Sequence, residues 1–215
     1  MTDWPFGLLR KHAYGVIYCD PPWAFRGYVS DGVPQQKDEQ HYDTMTKEEL
    51  AELPVAELAA NDCALLMWSI ASHTPQAFWL AEQWGFKFAS RGFCWAKTTM
   101  HADKNHVQKT LGWNLDRWNR KLPRIANPEN WHMGMGHSSR RNPEDCWLFT
   151  RGSPKRLDKG VRELIVSPIR EHSRKPDEVY DRIERLFGGP YCELFSRTSR
   201  PNWSAWGNQE GKFDD

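Results

Sequence analysis

Short apolar runs alternate with amphipathic stretches along this chain, and that alternation constrains the fold more than any other feature. Val16–Cys19, Ala64–Ile70, Phe86–Ala96, Cys146–Thr150, Glu163–Val166 and Tyr191–Phe195 read as buried strands. Thr46 and Glu49 have the spacing of a capping box and open a helix that Pro54 interrupts or restarts. Thr74 and Pro75 open a second helix that runs to about Trp84, with Gly85 as the stop. Pro176 opens a third, with Asp177 and Glu178 in its first turn, an apolar stripe of Val179, Ile183 and Leu186, and Gly188-Gly189 at its end. Strands interleaved with helices in this way predict an α/β fold with a largely parallel sheet. Residues 26–44 form a polar loop containing Gly and Pro, long enough for a lid. No repeat or linker divides the chain, so residues 1–215 read as one domain.

The 215 residues are enough to bury a core, and 39% hydrophobic with 27% charged residues excludes a disordered chain. No apolar run is long enough for a membrane helix, and Met1-Thr2-Asp3-Trp4 lacks the basic-then-apolar pattern of a signal peptide, so a cytoplasmic location is expected. Cys19, Cys63, Cys94, Cys146 and Cys192 are scattered, odd in number and never in a CxxC pair. They read as reduced thiols buried in strands, with neither a disulfide framework nor a metal site. His101, His106 and His132 also lack ligand spacing. The 12 tryptophans are more than a core of this size needs; most read as core, with Trp203 and Trp206 among them, and a minority as stacking platforms.

The net charge of +1 hides an asymmetry. Residues 1–60 carry 5 basic and 10 acidic side chains, a net of −5, whereas residues 97–175 carry 17 basic and 8 acidic, a net of +9. The basic half is either a solvated surface or a phosphate-binding face, and the runs Arg140-Arg141 and Lys155-Arg156 favour the second.

Asp20-Pro21-Pro22-Trp23 follows the first strand at once, which places Asp20 at a strand's carboxyl end, where open α/β sheets gather their ligands. On its own the tetrapeptide also reads as a turn closing a strand. An exocyclic amino nitrogen on an aromatic base is a poor nucleophile because its lone pair is delocalised. Two acceptors that take its two N–H bonds, the Asp20 carboxylate and the Pro21 carbonyl, would localise and aim that lone pair. The prolines would keep the turn stiff and the Trp23 indole would hold the base in register. The nitrogen becomes acidic once alkylated, so no strong base is needed beforehand. At the other end of the chain, Glu193-Leu194-Phe195-Ser196-Arg197 leads into Pro201-Asn202-Trp203 and Trp206-Gly207-Asn208-Gln209. Arg197 could bind a carboxylate, and Asn208 and Gln209 a ribose; as isolated residues they read equally well as turn and surface residues.

Taken together, these segments resemble the adenine methyltransferase family named for the 70-kDa catalytic subunit of the mRNA N6-adenosine methyltransferase. The resemblance runs from about residue 14 to about residue 211 and rests on ordered motifs: Tyr18-Cys19-Asp20-Pro21-Pro22-Trp23, Tyr42-Asp43-Thr44-Met45, Leu66-Met67-Trp68, Gly136-His137, Ser173-Arg174-Lys175-Pro176-Asp177-Glu178, Glu193-Leu194-Phe195-Ser196-Arg197, Asn202-Trp203 and Gly207-Asn208-Gln209. It implies a Rossmann-like methyltransferase fold with permuted motif order, the catalytic motif ahead of the cofactor strand. It implies S-adenosylmethionine as cofactor, with Asp20, Pro21, Pro22 and Trp23 catalytic. Asp20, Lys175, Phe195, Arg197, Asn208 and Gln209 match cofactor positions, and Tyr42 matches a gate near the adenine. The segment around Pro5-Phe6-Gly7 stands where the family contacts the cofactor's adenine. Arg140 and Arg141 are the expected substrate cations.

The sequence departs from the family in several places. Ser196 stands where glycine is frequent, and residues 101–135, with Trp113, Trp118 and Trp131, form a Trp- and His-rich insertion suited to a clamp or a partner interface. His137 aligns with a family histidine and also reads as structural. The expected activity is N6-adenine methylation of nucleic acid, DNA ahead of RNA, on an adenine that is single-stranded or flipped out. A homodimer or a partner subunit is a further expectation. Two other readings compete: a non-catalytic nucleic-acid-binding subunit, disfavoured by the intact tetrapeptide, and methylation of another amino group, for which relatives usually end the tetrapeptide in Tyr or Phe.

Overall fold

The computed structural model describes residues 4–24, 44–99, 131–134, 138–171, 174–208, 211, 212 and 214. Seven strands form one sheet: β1 Tyr14–Cys19, β2 Ala59–Ser69, β3 Lys87–Thr98, β4 Glu144–Arg151, β5 Leu164–Pro168, β6 Tyr191–Leu194 and β7 Trp203–Trp206. Their spatial order is β5-β3-β4-β2-β1-β6-β7. All neighbours run parallel except around β4, which is antiparallel to both β2 and β3. This is a mostly parallel, Rossmann-like α/β sheet. The order is permuted: β1 carries the Asp-Pro-Pro-Trp turn and sits inside the sheet, between β2 and the much later β6.

The chain reads as continuous apolar runs because both faces of the sheet are covered. In β1 and β2, Ile17, Cys19, Leu65 and Met67 point to one layer, which also holds Leu50, Leu80 and Trp84 of the α1 and α2 side. Val16, Tyr18, Leu66 and Trp68 point to the other, with Val179 and Ile183. The helices are α1 Lys47–Glu52, α2 Thr74–Gln83 and α3 Glu178–Leu186.

Most local signals hold. The Thr46 hydroxyl accepts from the Glu49 amide, and the Glu49 carboxylate accepts from the Thr46 amide, a complete capping box. Gly85 stands at φ +80° after α2, the left-handed geometry that glycine adopts without strain. Thr74 does not cap α2: that place falls to His73, whose side chain makes no capping bond. All five cysteines are free and lie on strands, four of them buried. Trp23, Trp68, Trp84, Trp95 and Trp203 are buried, and Trp206 packs against the core from one side. β7 is a strand beyond those expected from the apolar runs. The lid at 26–44, save Thr44, and the insertion at 101–135, save residues 131–134, lie outside the described residues, as do Tyr42, His137 and Gln209.

Candidate active site

β1 and β6 are parallel neighbours, with Cys19 opposite Leu194, so Asp20 and Phe195 leave the sheet side by side at its carboxyl edge. After Asp20 the prolines carry the chain into a tight turn in which the Trp23 amide donates to the Pro21 carbonyl at 2.8 Å. The next strand-like contact, Met45 amide to Pro22 carbonyl at 2.8 Å, pins the turn from its other side. A carbonyl oxygen has two lone pairs, so Pro21 retains one for a further donor.

Asp20 does not stand alone. The Lys175 ammonium lies 2.5 Å from its Oδ2, and Glu144 Oε1 lies 3.8 Å from the same Nζ. Glu144 Oε2 in turn takes Lys97 at 2.9 Å. Lys175 is 9% exposed and sits 5.6 Å above the ring of the buried Trp68, whose indole N–H donates to the Tyr18 hydroxyl at 2.7 Å. The cation thus rests on a π-face and between two carboxylates. Burial pushes the Asp20 carboxyl above its ordinary range against the pull of Lys175. Burial also works against the charged forms of Lys175 and Glu144, but their opposite charges outweigh it, so Lys175 is held above its usual value and Glu144 below. Glu144 begins β4; nothing in the residue pattern marks its role, because only the antiparallel run of β4 brings its first residue to this edge.

Beside this cluster, Phe195 leaves β6 at φ +60°, and the Ser196 amide donates to the Trp206 carbonyl of β7 at 3.0 Å. Gly207 then passes so close that a β-carbon on it would stand 2.4 Å from the Ser196 carbonyl oxygen and 2.6 Å from its nitrogen. Gly207→Ala is therefore expected to push the Gly207-Asn208 segment off the end of β6. The cost should be about 1–3 kcal/mol of stability, with the ends of β6 and β7 forced apart. Thermal melts and cofactor titration of this variant check it; an unchanged melting temperature would remove the steric argument.

Glu193, on β6 just before this turn, accepts from the Tyr180 hydroxyl and from the Ser196 hydroxyl at 3.0 Å each. Burial raises its carboxyl to about 7. A carboxyl raised in the folded state contributes stability that is fully present below its unfolded value and is lost as pH rises through about 7. Between pH 5 and 8 the wild type should therefore lose melting temperature at this site, and Glu193→Gln should flatten the loss. Parallel slopes for the two proteins would contradict it.

The remaining expected residues are dispersed around the same edge. Arg197 follows Ser196 and lies close enough to Asp20 to draw its carboxyl downward; Asn208 is exposed just past β7. Trp23 is 6% exposed and packs in the core, its ring 5.9 Å from that of His73 and tilted by 34°. Arg141 donates to the Ser72 hydroxyl at 3.2 Å and exchanges backbone bonds with Gly134, while Arg140 is exposed. Pro5 receives the Trp206 indole N–H at 2.9 Å on its carbonyl, and Phe6 meets the Trp206 ring edge-on at 5.0 Å, so the amino-terminal segment borders the β7 end. Lys155-Arg156, read in the sequence with Arg140-Arg141 as one basic face, lies at the opposite edge of the sheet. β4 runs between the two pairs and separates them. Among the described residues no group of three or more His, Cys, Asp or Glu side chains could hold a metal ion, and no helix is long and apolar enough to cross a membrane.

The MT-A70 family profile matches residues 14–120 and 107–209 of this chain. Type II methyltransferase M.MunI of Mycoplasma sp is 27% identical over 222 residues, covering 95% of the chain and 81% of that protein. A putative N(6)-adenosine-methyltransferase MT-A70-like protein of Medicago truncatula is 29% identical over 199 residues, covering 91% of the chain and 26% of its own length. The human N(6)-adenosine-methyltransferase catalytic subunit METTL3 is 28% identical over 200 residues, covering 91% of the chain and 28% of its own length. The chain thus spans about four-fifths of the first relative and little more than a quarter of the other two.

Proposed function

The chain belongs to the MT-A70 family of methyltransferases, and from that membership we propose that it transfers a methyl group to the exocyclic N6 amino group of adenine in nucleic acid, DNA ahead of RNA. The observation that carries this reading is the placement of the Asp20 carboxylate and the Pro21 carbonyl on one stiff turn at the carboxyl edge of the central strand, beside the β6–β7 ends. DNA is put first because the chain spans most of the type II methyltransferase but only a fraction of the adenosine-methylating relatives.

The donor set at this edge fits S-adenosylmethionine: a carboxylate for a cationic group, the Arg197 guanidinium for a carboxylate, the Asn208 amide for a diol, and a glycine edge at Gly207. Asp20, Lys175, Phe195, Arg197, Asn208 and Gln209 would hold it, and when bound it supplies the electrophilic methyl group. Lys175 occupies Asp20 Oδ2 and leaves Oδ1 to accept one N–H of the target amine, while the free lone pair of the Pro21 carbonyl accepts the other. The two acceptors turn the nitrogen lone pair out of conjugation and aim it, so positioning contributes most of the rate. Asp20 then takes the proton released as the methylated nitrogen becomes acidic. Pro22 stiffens the turn, and Trp23 braces it from within the core against His73. Tyr42, Arg140 and Arg141 are proposed to hold the substrate, and the adenine must be single-stranded or flipped to reach Asp20. Residues 1–215 are proposed to form one methyltransferase domain, with 101–135 as an insertion within it.

The test offers labelled S-adenosylmethionine with single-stranded DNA, duplex DNA and RNA, then digests the products to nucleosides. Label in N6-methyladenine is the expected outcome, and the best polymer identifies the substrate. Label in another nucleoside, or none in any polymer although the cofactor binds, would sink the proposal.

A further inference from the structure

The sheet has a second charged edge. The connection from β4 to β5, residues 152–163, carries Lys155, Arg156, Lys159 and Arg162, all exposed, against Asp158 and Glu163. Asp158 is already committed to Arg185 at 2.5 Å and to the Gly160 amide at 2.6 Å. Glu163 lies 4.0 Å from Arg91. Among the described residues the four loop cations make no ion pair, whereas at the catalytic edge Lys97, Lys175 and Arg170 are each matched by a carboxylate. Lys87, exposed at the start of β3, adds a fifth cation to the same edge.

This loop is not a loose surface segment. Gly152 turns at φ +63° against Asn61 and Asp62, where any β-carbon would collide at 2.3 Å. The Ser153 amide donates to Asp62 at 2.7 Å, the Leu157 amide to the Leu186 carbonyl at 2.9 Å, and Arg156 forms a β-bridge with Phe187. From the other side Arg182 donates to the carbonyls of Arg162 and Leu164 at 2.6 and 2.8 Å. The cations are therefore presented on a fixed scaffold, which lowers the ordering cost of binding. A cavity of about 350 Å³ between Lys155, Leu157 and the Gly188–Pro190 turn gives the edge a concave seat.

We infer that this edge binds the phosphodiester backbone of the nucleic-acid substrate at a distance from the target base, so that one substrate molecule touches both ends of the sheet. A regular row of single negative charges is the partner that a rigid set of unneutralised, outward cations complements. β1 spans six residues between the edges, roughly 20 Å at about 3.3 Å per residue, or about six nucleotides along one strand. The inference rests on nucleic acid being the substrate.

The experiment compares the wild type with the quadruple variant Lys155→Ala, Arg156→Ala, Lys159→Ala, Arg162→Ala, using full-length protein whose melting temperature is measured first. Binding is followed by anisotropy with labelled hairpin duplexes of roughly 30 and roughly 4 base pairs over a salt series, lengths chosen either side of that span. For the long duplex the slope of log K against log salt should fall by about 3 to 4, since each neutralised phosphate contributes about 0.9. Binding and turnover on the short duplex should not change. An unchanged slope on the long duplex overturns the inference, and so does an equal loss on the short one, which would place the cations at the target site. A change in sedimenting mass with unchanged slopes also overturns it and makes this edge a contact between copies of the chain. If the slope falls as expected but the wild type methylates no adenine, the binding edge stands and the catalytic reading fails.

Discussion

Asp20→Ala is expected to lower kcat for methyl transfer by roughly 10²–10⁴-fold, the range for a positioned acceptor that also removes a proton. The side chain is the only carboxylate on the β1 turn, and the Pro21 carbonyl alone can fix one N–H of the amine but cannot orient the lone pair. Cofactor affinity should fall far less, because the other proposed cofactor contacts, Arg197, Phe195 and Asn208, lie at the β6–β7 ends and are untouched by the change. Lys175 keeps Glu144 as a counter-charge in the variant, so the fold should persist. Calorimetric cofactor titration and single-turnover kinetics on the same preparation separate the two quantities. Transfer within tenfold of wild type would remove Asp20 from the reaction.

Lys175→Met should damage both activity and stability. The ammonium is the cation between Asp20 and Glu144, and without it two carboxylates face each other with Lys97 matched only to the second. Removing one member of a buried pair costs about 3–5 kcal/mol, and the partial exposure of Asp20 places this case toward the lower end. Burial already raises the Asp20 carboxyl, and loss of the cation raises it further, so the acceptor form appears only at higher pH. The acidic limb of the kcat profile should therefore shift to higher pH in Lys175→Met and stay in place in Lys175→Arg. A variant with lowered stability and an unmoved acidic limb would show Lys175 to be structural only.

The sequence revealed more of the elements than of their arrangement. Strands covered on both faces declare themselves as apolar runs, which is why β1, β2 and β6 were legible. β7 was not, since Trp203-Ser204-Ala205-Trp206 is four residues long and set among Pro, Asn and Gly. The reversed direction of β4 leaves no trace in a pattern of buried residues, and two consequences were missed with it. Glu144 arrives beside Lys175, and the two basic pairs that flank β4 part to opposite edges, roughly 26 Å apart for eight residues. Asp20, Lys175 and Arg197 were found as motif members, but motif spacing could not show that Asp20 and Lys175 touch, because strand order joins them.

The permuted order has a consequence for how the protein comes into being. β1 is made early, yet Cys19 must wait for Leu194 before its second edge is paired. Such a long-range closure is slow relative to local pairing. During synthesis, β1 and β2 can join while the edge that will receive β6 stays open, an apolar template for a wrong partner. The same delay acts as a quality gate. A ribosome that stops anywhere before β6 releases a chain bearing the whole Asp-Pro-Pro-Trp turn but none of the turn after β6 that stands beside it, so an unfinished polypeptide carries the motif without its neighbour at the sheet edge.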